Sequence, residues 1–373
     1  MSIRIAYIGQ RGVPPTFGGV ERYVDEIVRR LPATEVQSTV YCRPHYIQPM
    51  ELGYTQQVFL PSLQMKGLEA FGHSGLSAVH SAFKQFDLVH FQALGPALFC
   101  GIPRLSGAKT VTTIHGIDWQ RAKWAGAAKA VLKAGDWMMG HLSHGIISVS
   151  QNLKRRYEDH YKREVFFVPI GFSAPKRLKA GAAHDRYDLQ PGKYLFFLNR
   201  IVPEKGLHYA IEAFRQIKRD DFKFVISGAS EPSDLYMASL RNQAAGDSRI
   251  VFTGYVDREM VHELYSNAYL FLLPSELEGM PAVLLEAMSH GCPVLTSDIQ
   301  ESLDVIRLKD HQYGFVHKNK DVADLTRQLS SLMDNPEDVE AMRGPGCQFV
   351  NTNYSWEKST QMTYDVYKHV LGS

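Results

Sequence analysis

The densest chemistry in the chain lies in Pro274–Val294, which reads PSELEGMPAVLLEAMSHGCPV. A strand candidate, Tyr269–Leu273, runs into it. A loop carrying Glu276, Glu278, Gly279 and Met280 then leads to Pro281, at the first position expected of a helix. Free N–H groups at such a helix start, with the dipole behind them, can hold phosphate. Glu286 falls in the second turn, and carboxylates suit sugar hydroxyls because they accept several hydrogen bonds. A glutamate pair alone reads far more readily as solvated positions; strand, glycine, proline and second glutamate together favour a site. The next cluster is Leu198–Gly206, LNRIVPEKG, where Arg200 and Lys205 follow one strand and precede a helix. Arginine as a planar fork and lysine as a point charge can clamp a diphosphate there. A solvated basic turn is the plainer alternative.

In the first half, GQRGVPPTFGGVE over Gly9–Glu21 joins a strand to a helix. It is glycine-rich without being the dinucleotide fingerprint, and no P-loop pattern occurs in the chain. Gly18 and Gly19 allow backbone to approach a ligand closely, or serve only as a turn. Thr112–Asp118, TTIHGID, places His115 at a strand's end, before Gly116. A lone histidine is more often structural, but this position makes it a candidate to face a cleft. His141 and His144 lack an acidic partner at metal-site spacing, and no D-x-D occurs, so neither metal nor cofactor is expected. Trp119–Trp137 is basic and aromatic, with Arg121, Lys129 and Lys133 on one helical face and Trp137 following. Such a face can rest on an anionic bilayer, or be an ordinary surface helix with buried tryptophans.

These residues need elements to position them. Strand candidates in the first half are Ile3–Ile8, Gln37–Cys42, Gln57–Leu60, Leu88–Phe91, Lys109–Ile114, Gly145–Val149 and Val165–Val168. Val20–Leu31 has the helical spacing of apolar residues. The pattern restarts with Tyr194–Asn199, Phe222–Ser227, Arg249–Thr253, Tyr269–Leu273 and Pro293–Thr296, with helices expected at Leu207–Ile217 and Ala282–His290. Alternation of this kind predicts an α/β chain with two doubly wound parallel sheets. The boundary falls near residue 169, giving domains 1–168 and 169–353. Pro345 and Gly346 are expected to break the chain before a terminal helix within 354–373. Ligands of open α/β sheets sit at the carboxyl ends of the strands, so the chemistry should lie just after them, facing the cleft between two lobes.

The chain's 373 residues exceed what one core comfortably supports. Its 41 Lys and Arg against 39 Asp and Glu leave a net of +2, which argues against a nucleic-acid binder. Residues 1–168 carry 19 basic and 12 acidic side chains, a net of +7, and the remainder 22 and 27, a net of −5. Four dispersed cysteines form no C-x-x-C, which suits free thiols in a reducing cytosol. The N-terminus reads as a strand, not a signal peptide, and no apolar run is long enough to span a membrane. A cytoplasmic location is expected, with peripheral membrane contact open.

GGVER, His115, RIVPEKG and EGMPAVLLE together resemble the retaining glycosyltransferases of family 4, whose GT-B fold has two facing Rossmann-like domains. The last stretch matches the family's E-x7-E pattern at Glu278 and Glu286. GQRGVPPTFGGVERYV and GIDWQRAKW look most like a bacterial surface-polysaccharide, rhamnosyltransferase-like subgroup. The resemblance implies a nucleotide-diphosphate sugar donor held mainly by the second domain. Arg200 and Lys205 would take the diphosphate, Glu286 the ribose, Glu278 the sugar hydroxyls, and Gly279, Met280 and Pro281 the sugar or phosphate. His115 would reach across to the sugar or β-phosphate, and Gly18 and Gly19 would approach the phosphates. The acceptor, a glycan or lipid-linked glycan, would sit on the first domain, with Glu21, Arg22, Asp118 and Arg121 as candidates. The terminal helix would pack back on that domain. Two departures stand out: Gly116 follows His115 where the family often has Asp, and the hinge reads Pro169-Ile170-Gly171 where it often has Asn in the middle.

Three rivals remain. An NAD-linked oxidoreductase needs a dinucleotide fingerprint that neither half supplies. A non-hydrolysing sugar-nucleotide epimerase would need no acceptor. A bilobal sugar-binding module would normally carry a signal peptide.

Overall fold

Short runs of Val, Ile, Leu and Phe, bounded by turns, become parallel strands in both halves of the computed structural model, which describes residues 2–16, 18–62, 69–120, 126–173, 177–228 and 235–372. The chain divides into two units, Met1–Gly171 with Trp356–Ser373, and Phe172–Ser355. The first contains, in chain order, β1 (Ile3–Ile8), α1 (Gly19–Arg30), β2 (Val36–Cys42), β3 (Gln56–Phe59), α2 (Glu69–Ala82) and β4 (Leu88–Gln92). It continues with α3 (Leu94–Ala97), β5 (Lys109–Ile114), α4 (Gly126–Leu142), β6 (Gly145–Ser148), α5 (Gln151–Tyr161) and β7 (Phe166–Phe167). Among the described residues its seven strands, all parallel, lie in the order β3-β2-β1-β4-β5-β6-β7.

The second unit begins with α6 (Ala182–Tyr187), β8 (Tyr194–Leu198), α7 (Leu207–Gln216), β9 (Lys223–Ser227), α8 (Leu235–Ala244) and β10 (Ile250–Gly254). It goes on through α9 (Arg258–Asn267), β11 (Leu270–Leu273), α10 (Ala282–Ser289), β12 (Val294–Ser297), α11 (Gln300–Ile306) and the small hairpin β13 (Arg307–Leu308) and β14 (His311–Gln312). It ends with β15 (Phe315–His317), α12 (Val322–Asp334) and α13 (Pro336–Asn353). Its parallel sheet runs β10-β9-β8-β11-β12-β15. In each sheet the first strand is flanked on both sides by later ones, so the order reverses at β1/β4 and at β8/β11. Connections leave those two strands toward opposite faces and open a crevice for ligands between them.

Helix α14 (Trp356–Leu371) returns to the first unit. Its Trp356, Tyr364, Val366 and Tyr367 share one core with Tyr23, Val24 and Ile27 of α1 and with Ile5 and Tyr7 of β1. The close approach requires Gly171, where an added Cβ would stand 2.5 Å from the Trp356 Cα. Ser359 Oγ donates to the Pro169 carbonyl at 2.6 Å, so the hinge backbone is bonded without an asparagine at Ile170.

One expectation is corrected here. Pro345 and Gly346 do not break the chain: α13 runs through both. Proline removes one backbone donor, but Val339, Phe349 and Val350 bury the same helix, and packing overrides the local breaker. Strand β15 and the hairpin, absent from the sequence reading, are too short and too polar to show a strand period. No helix among the described residues is long and apolar enough to cross a membrane.

Candidate active site

The loops after β8 and β11 flank the switch point of the second sheet. After β8 the chain makes a short 3₁₀ turn, Pro203–Lys205, closed by Gly206 N–H on the Pro203 carbonyl at 2.9 Å. Gly206 has φ +66°, and an added Cβ would lie 2.0 Å from the Pro274 carbonyl oxygen. Only glycine lets the two loops touch there. Glu276 N–H donates to the Glu204 carbonyl at 2.9 Å and ties them again.

This contact delivers Lys205 to Glu278. Their side chains, 9% and 7% exposed, form an ion pair at 2.7 Å, and Ser275 Oγ donates to the other Glu278 oxygen at 2.7 Å. An ammonium has three donors and a carboxylate about four acceptor sites. Both groups therefore keep hydrogen-bonding capacity for a ligand after pairing. The structure brings together these two of the predicted site residues directly.

Glu276 turns elsewhere, accepting from Tyr209 OH at 2.9 Å and pairing with Lys320 at 2.6 Å. Burial raises its carboxyl, but the Lys320 and Tyr209 bonds outweigh it and hold the pKa below the ordinary value. Arg200 is exposed, and its backbone N–H donates to Asn199 Oδ1 at 2.9 Å. Gly228 lies against that turn, where an added Cβ would meet the Asn199 carbonyl oxygen at 1.9 Å. Gly279 and Met280 are half-buried in the loop before α10. Half-buried Glu286 sits in α10 near Tyr265, whose phenol pKa is pushed up by burial and then by the Glu286 charge.

The start of α10 differs from expectation. Pro281 is the N-cap, with φ −77° and ψ 71°, and the helix proper opens at Ala282. Ala282 N–H already donates to the Met280 carbonyl at 2.8 Å, and Leu284 N–H to the Pro281 carbonyl at 2.9 Å. A tight first turn consumes those two donors, so the expected bare helix start is partly occupied.

In the first unit, Gly18 caps α1 at φ +107°. An added Cβ there would meet Glu21 Oε2 at 2.1 Å, while Gly19 has nothing within 4 Å. Glu21 is 8% exposed and its Oε1 accepts from Arg11 N–H at 3.0 Å, so this carboxylate braces the glycine loop. Arg22 stands one residue on, 4.0 Å from Glu26. His115 directly follows β5 and is half-buried, its Nε2 3.0 Å from Gln92 Oε1 and its ring T-shaped to Tyr23 at 5.1 Å. Gln92 ends β4, at the switch point, and is 1% exposed. Asp118 opens a short 3₁₀ turn after β5, and Arg121 lies outside the described residues.

The sequence reading missed Gln92, Ser275, Tyr209, Lys320 and Gly206. For Gln92 and Lys205's neighbour Gly206 a signal was present: each directly follows, or sits in the loop after, a strand flanking a switch point. Lys320 and Tyr209 give none, because only the fold brings them to Glu276. Among the described residues no three His, Cys, Asp or Glu side chains cluster as metal ligands would.

An uncharacterized glycosyltransferase of Methanocaldococcus jannaschii is 28% identical over 177 residues, which is 47% of this chain and 45% of that protein. The match thus spans less than half the length of that relative. A GDP-mannose-dependent monoacylated alpha-(1-6)-phosphatidylinositol monomannoside mannosyltransferase of Corynebacterium glutamicum is 25% identical over 92% of both chains. Sucrose-phosphate synthase of Thermosynechococcus elongatus shares the fold over 99% of both chains, with a TM-score of 0.82 at 18% identity. Residues 17–174 match the model for Glycosyltransferase Family 4 and residues 184–346 that for Glycosyl transferases group 1. With both matches falling on the two parallel-sheet units of a GT-B fold, the chain belongs to the group 1/family 4 glycosyltransferases.

Proposed function

We propose that this protein is a retaining transferase that moves a sugar from a nucleotide-diphosphate donor to a glycan or lipid-linked glycan in bacterial polysaccharide assembly, in the rhamnosyltransferase-like subgroup. The observation that carries the reading is the buried Lys205–Glu278 pair at the switch point of the second sheet. Lys205, assisted by exposed Arg200, offers positive charge where a departing diphosphate develops negative charge. These two cations do the work often given to a divalent ion, so the reaction is proposed to need no metal or other cofactor. Glu278 and Glu286 take donor hydroxyls, and the backbone from Gly279 to Pro281 lies beside the sugar or phosphate. His115 contributes a ring nitrogen toward the sugar or β-phosphate, and Gly18 and Gly19 admit the phosphates.

In the transfer, the bond from the anomeric carbon to the β-phosphate oxygen breaks as the acceptor oxygen bonds to the same face of that carbon. The acceptor's proton goes to the leaving phosphate oxygen, and a nucleoside diphosphate departs. Glu21 and Arg22 belong to the acceptor side, with Asp118 and Arg121. Lys129 and Lys133, both exposed on α4, suit an anionic membrane surface carrying a lipid-linked acceptor, at the cytoplasmic face. Nucleic acid is not a partner on this reading.

Calorimetry with UDP, GDP, dTDP and ADP tests the donor assignment. One of them should bind, and Lys205→Ala should weaken it; binding of none overturns the donor. Incubation with the matching sugar nucleotide alone tests the reaction class, because epimerisation without acceptor would overturn transfer.

A further inference from the structure

Asp136 of α4 is 8% exposed and gathers three donors. Its Oδ2 accepts from Trp119 Nε1 at 2.7 Å and from Tyr157 OH at 3.3 Å, and its Oδ1 from Tyr161 OH at 2.9 Å. The indole is thereby locked against α4 and α5. In front of it lies a cavity of about 440 Å³, lined by Trp119, Asp136, Arg156, Tyr157, Asp159 and His160. Lys133 Nζ stands 5.4 Å and Arg156 Cζ 5.9 Å from the indole centroid. Arg156, Asp159 and His160 are exposed at the rim, free to meet a ligand from solvent.

The composition of this wall selects a class of ligand. The volume falls within the roughly 300–1,000 Å³ of small-molecule sites. A phosphate entering beside Arg156 would also meet the Asp159 carboxylate, with the Asp136 charge behind the indole, and both repel it. An acyl chain would have to desolvate the same charges without replacing their hydrogen bonds. A neutral polyhydroxylated ring meets neither penalty. Its C–H face can lie on a rigid aromatic plane, while its hydroxyls donate to carboxylates and accept from guanidinium.

We propose that this cavity is a saccharide subsite, which holds a sugar of the acceptor glycan. The assignment to the acceptor rests on the glycosyl-transfer reading above. Trp119 is the platform, Arg156 and Asp159 grip hydroxyls, and Asp136 positions the indole without touching the sugar.

The test uses the full chain with ¹⁵N-labelled tryptophan, whose four indole resonances are assigned with Trp119→Phe. The probes are methyl α-D-mannopyranoside, methyl α-D-glucopyranoside, methyl α-L-rhamnopyranoside and inorganic phosphate. At least one glycoside should shift the Trp119 resonance saturably in the millimolar range, and phosphate should leave it in place. Arg156→Ala or Asp159→Ala, both at exposed positions and so safe for folding, should each weaken that response about tenfold. A Trp119 resonance unmoved by all three glycosides, moved by phosphate, or equally responsive in both variants overturns the subsite. Titrating the same sample with nucleoside diphosphates reads the donor groups separately. Nucleotide binding without a glycoside response sinks the subsite alone; silence to both sinks the transfer reading as well.

Discussion

Lys205 and Glu278 in the second unit are held by a buried ion pair, whereas His115 in the first meets the neutral Gln92 amide and packs T-shaped against the Tyr23 ring. Behind His115 the polar groups are neutral too. His90 is fully buried, with Tyr367 OH and Thr113 Oγ1 each 2.7 Å from its ring nitrogens. Burial, and then the neighbouring His115, lower its pKa to about 3, so it carries no charge near neutrality. The two units thus solve different problems. On the proposed reading Lys205 faces a diphosphate and needs positive charge that survives desolvation, which a carboxylate partner supplies. A histidine that is to donate or accept one hydrogen bond needs a defined tautomer and ring plane, and an amide with an aromatic neighbour supplies those.

The largest effects should follow from breaking the ion pair. Lys205→Ala or Glu278→Ala should reduce turnover by about two to three orders of magnitude, as losses of charge-stabilising groups do. Each also strands a buried charge, at a cost of about 3–5 kcal/mol. The double variant should be less destabilised than the sum of the two, which urea denaturation of all four proteins would measure. Additive losses would mean that the pair is not coupled, and near-wild-type turnover in both single variants would remove them from the site.

Next in size is a contrast between glycines. Gly206→Ala places a methyl 2.0 Å from a carbonyl oxygen at a positive φ, and should cost about 2 kcal/mol or more while lowering turnover. Gly19→Ala meets nothing within 4 Å at a helix start, so stability should hold or rise slightly. Donor KM should nevertheless increase if phosphates approach that backbone. Equal thermal stability of the two variants would show that the loop contact at Pro274 is not needed to hold the Lys205 turn.

These contrasts also mark what the amino-acid order reveals. The central strands of both sheets begin or end within a residue or so of the positions expected, because runs such as Ile3–Ile8 and Lys109–Ile114 are dense in β-formers between clear stops. Helix α13 was hidden by Pro345, whose local effect is real but weaker than the burial of Phe349 and Val350. Arg200, Lys205, Glu278 and His115 were readable as types placed after strands. The pairing of Lys205 with Glu278 was not, since it depends on β8 and β11 lying side by side and on Gly206 letting their loops touch. Gln92 had only its place at a strand end to mark it; its role beside His115 needs the strand pairing that sets it opposite Thr113.

Acid should separate the units by the same logic. Burial, the largest cause in each case, depresses His73 and His144 of the first unit to about 4, and His90 to about 3. In the second unit burial lowers His290 to about 4 and also lowers His317 and His208, but none of them is fully buried as His90 is. Unfolded histidine titrates near 6.5, so between there and about 4 the unfolded chain binds protons that the folded one refuses. Stability is therefore full above about pH 6.5 and is lost as pH falls through this window, for His90 by up to about 1.4 kcal/mol per pH unit. Hydrogen exchange at pH 5 should show β1, β4 and β5 losing protection before β8 and β11. His90→Gln should flatten the pH slope of the first unit; an unchanged slope would mean that its buried polar cluster tolerates the charge.

The smallest effect concerns the basic surface of the first unit. Lys129 and Lys133 are exposed on α4, and Trp137 beside them is 55% exposed, so of the two readings of this face the one with buried tryptophans does not hold for Trp137. Each lysine near an anionic bilayer is worth about a fivefold change in vesicle binding at low salt, and less as salt shortens the screening length. The two lysines are not equivalent, however, because Lys133 also stands over Trp119. Lys129→Ala therefore isolates the membrane term. If it weakens binding to phosphatidylglycerol vesicles as much as Lys133→Ala does, the charge excess of the first unit serves a surface. If only Lys133→Ala changes anything, and the change is in the Trp119 indole resonance instead of vesicle binding, that cation belongs to the sugar platform. The excess of positive charge would then say nothing about membranes, and the contrast between the units would narrow to how each one holds its ligand.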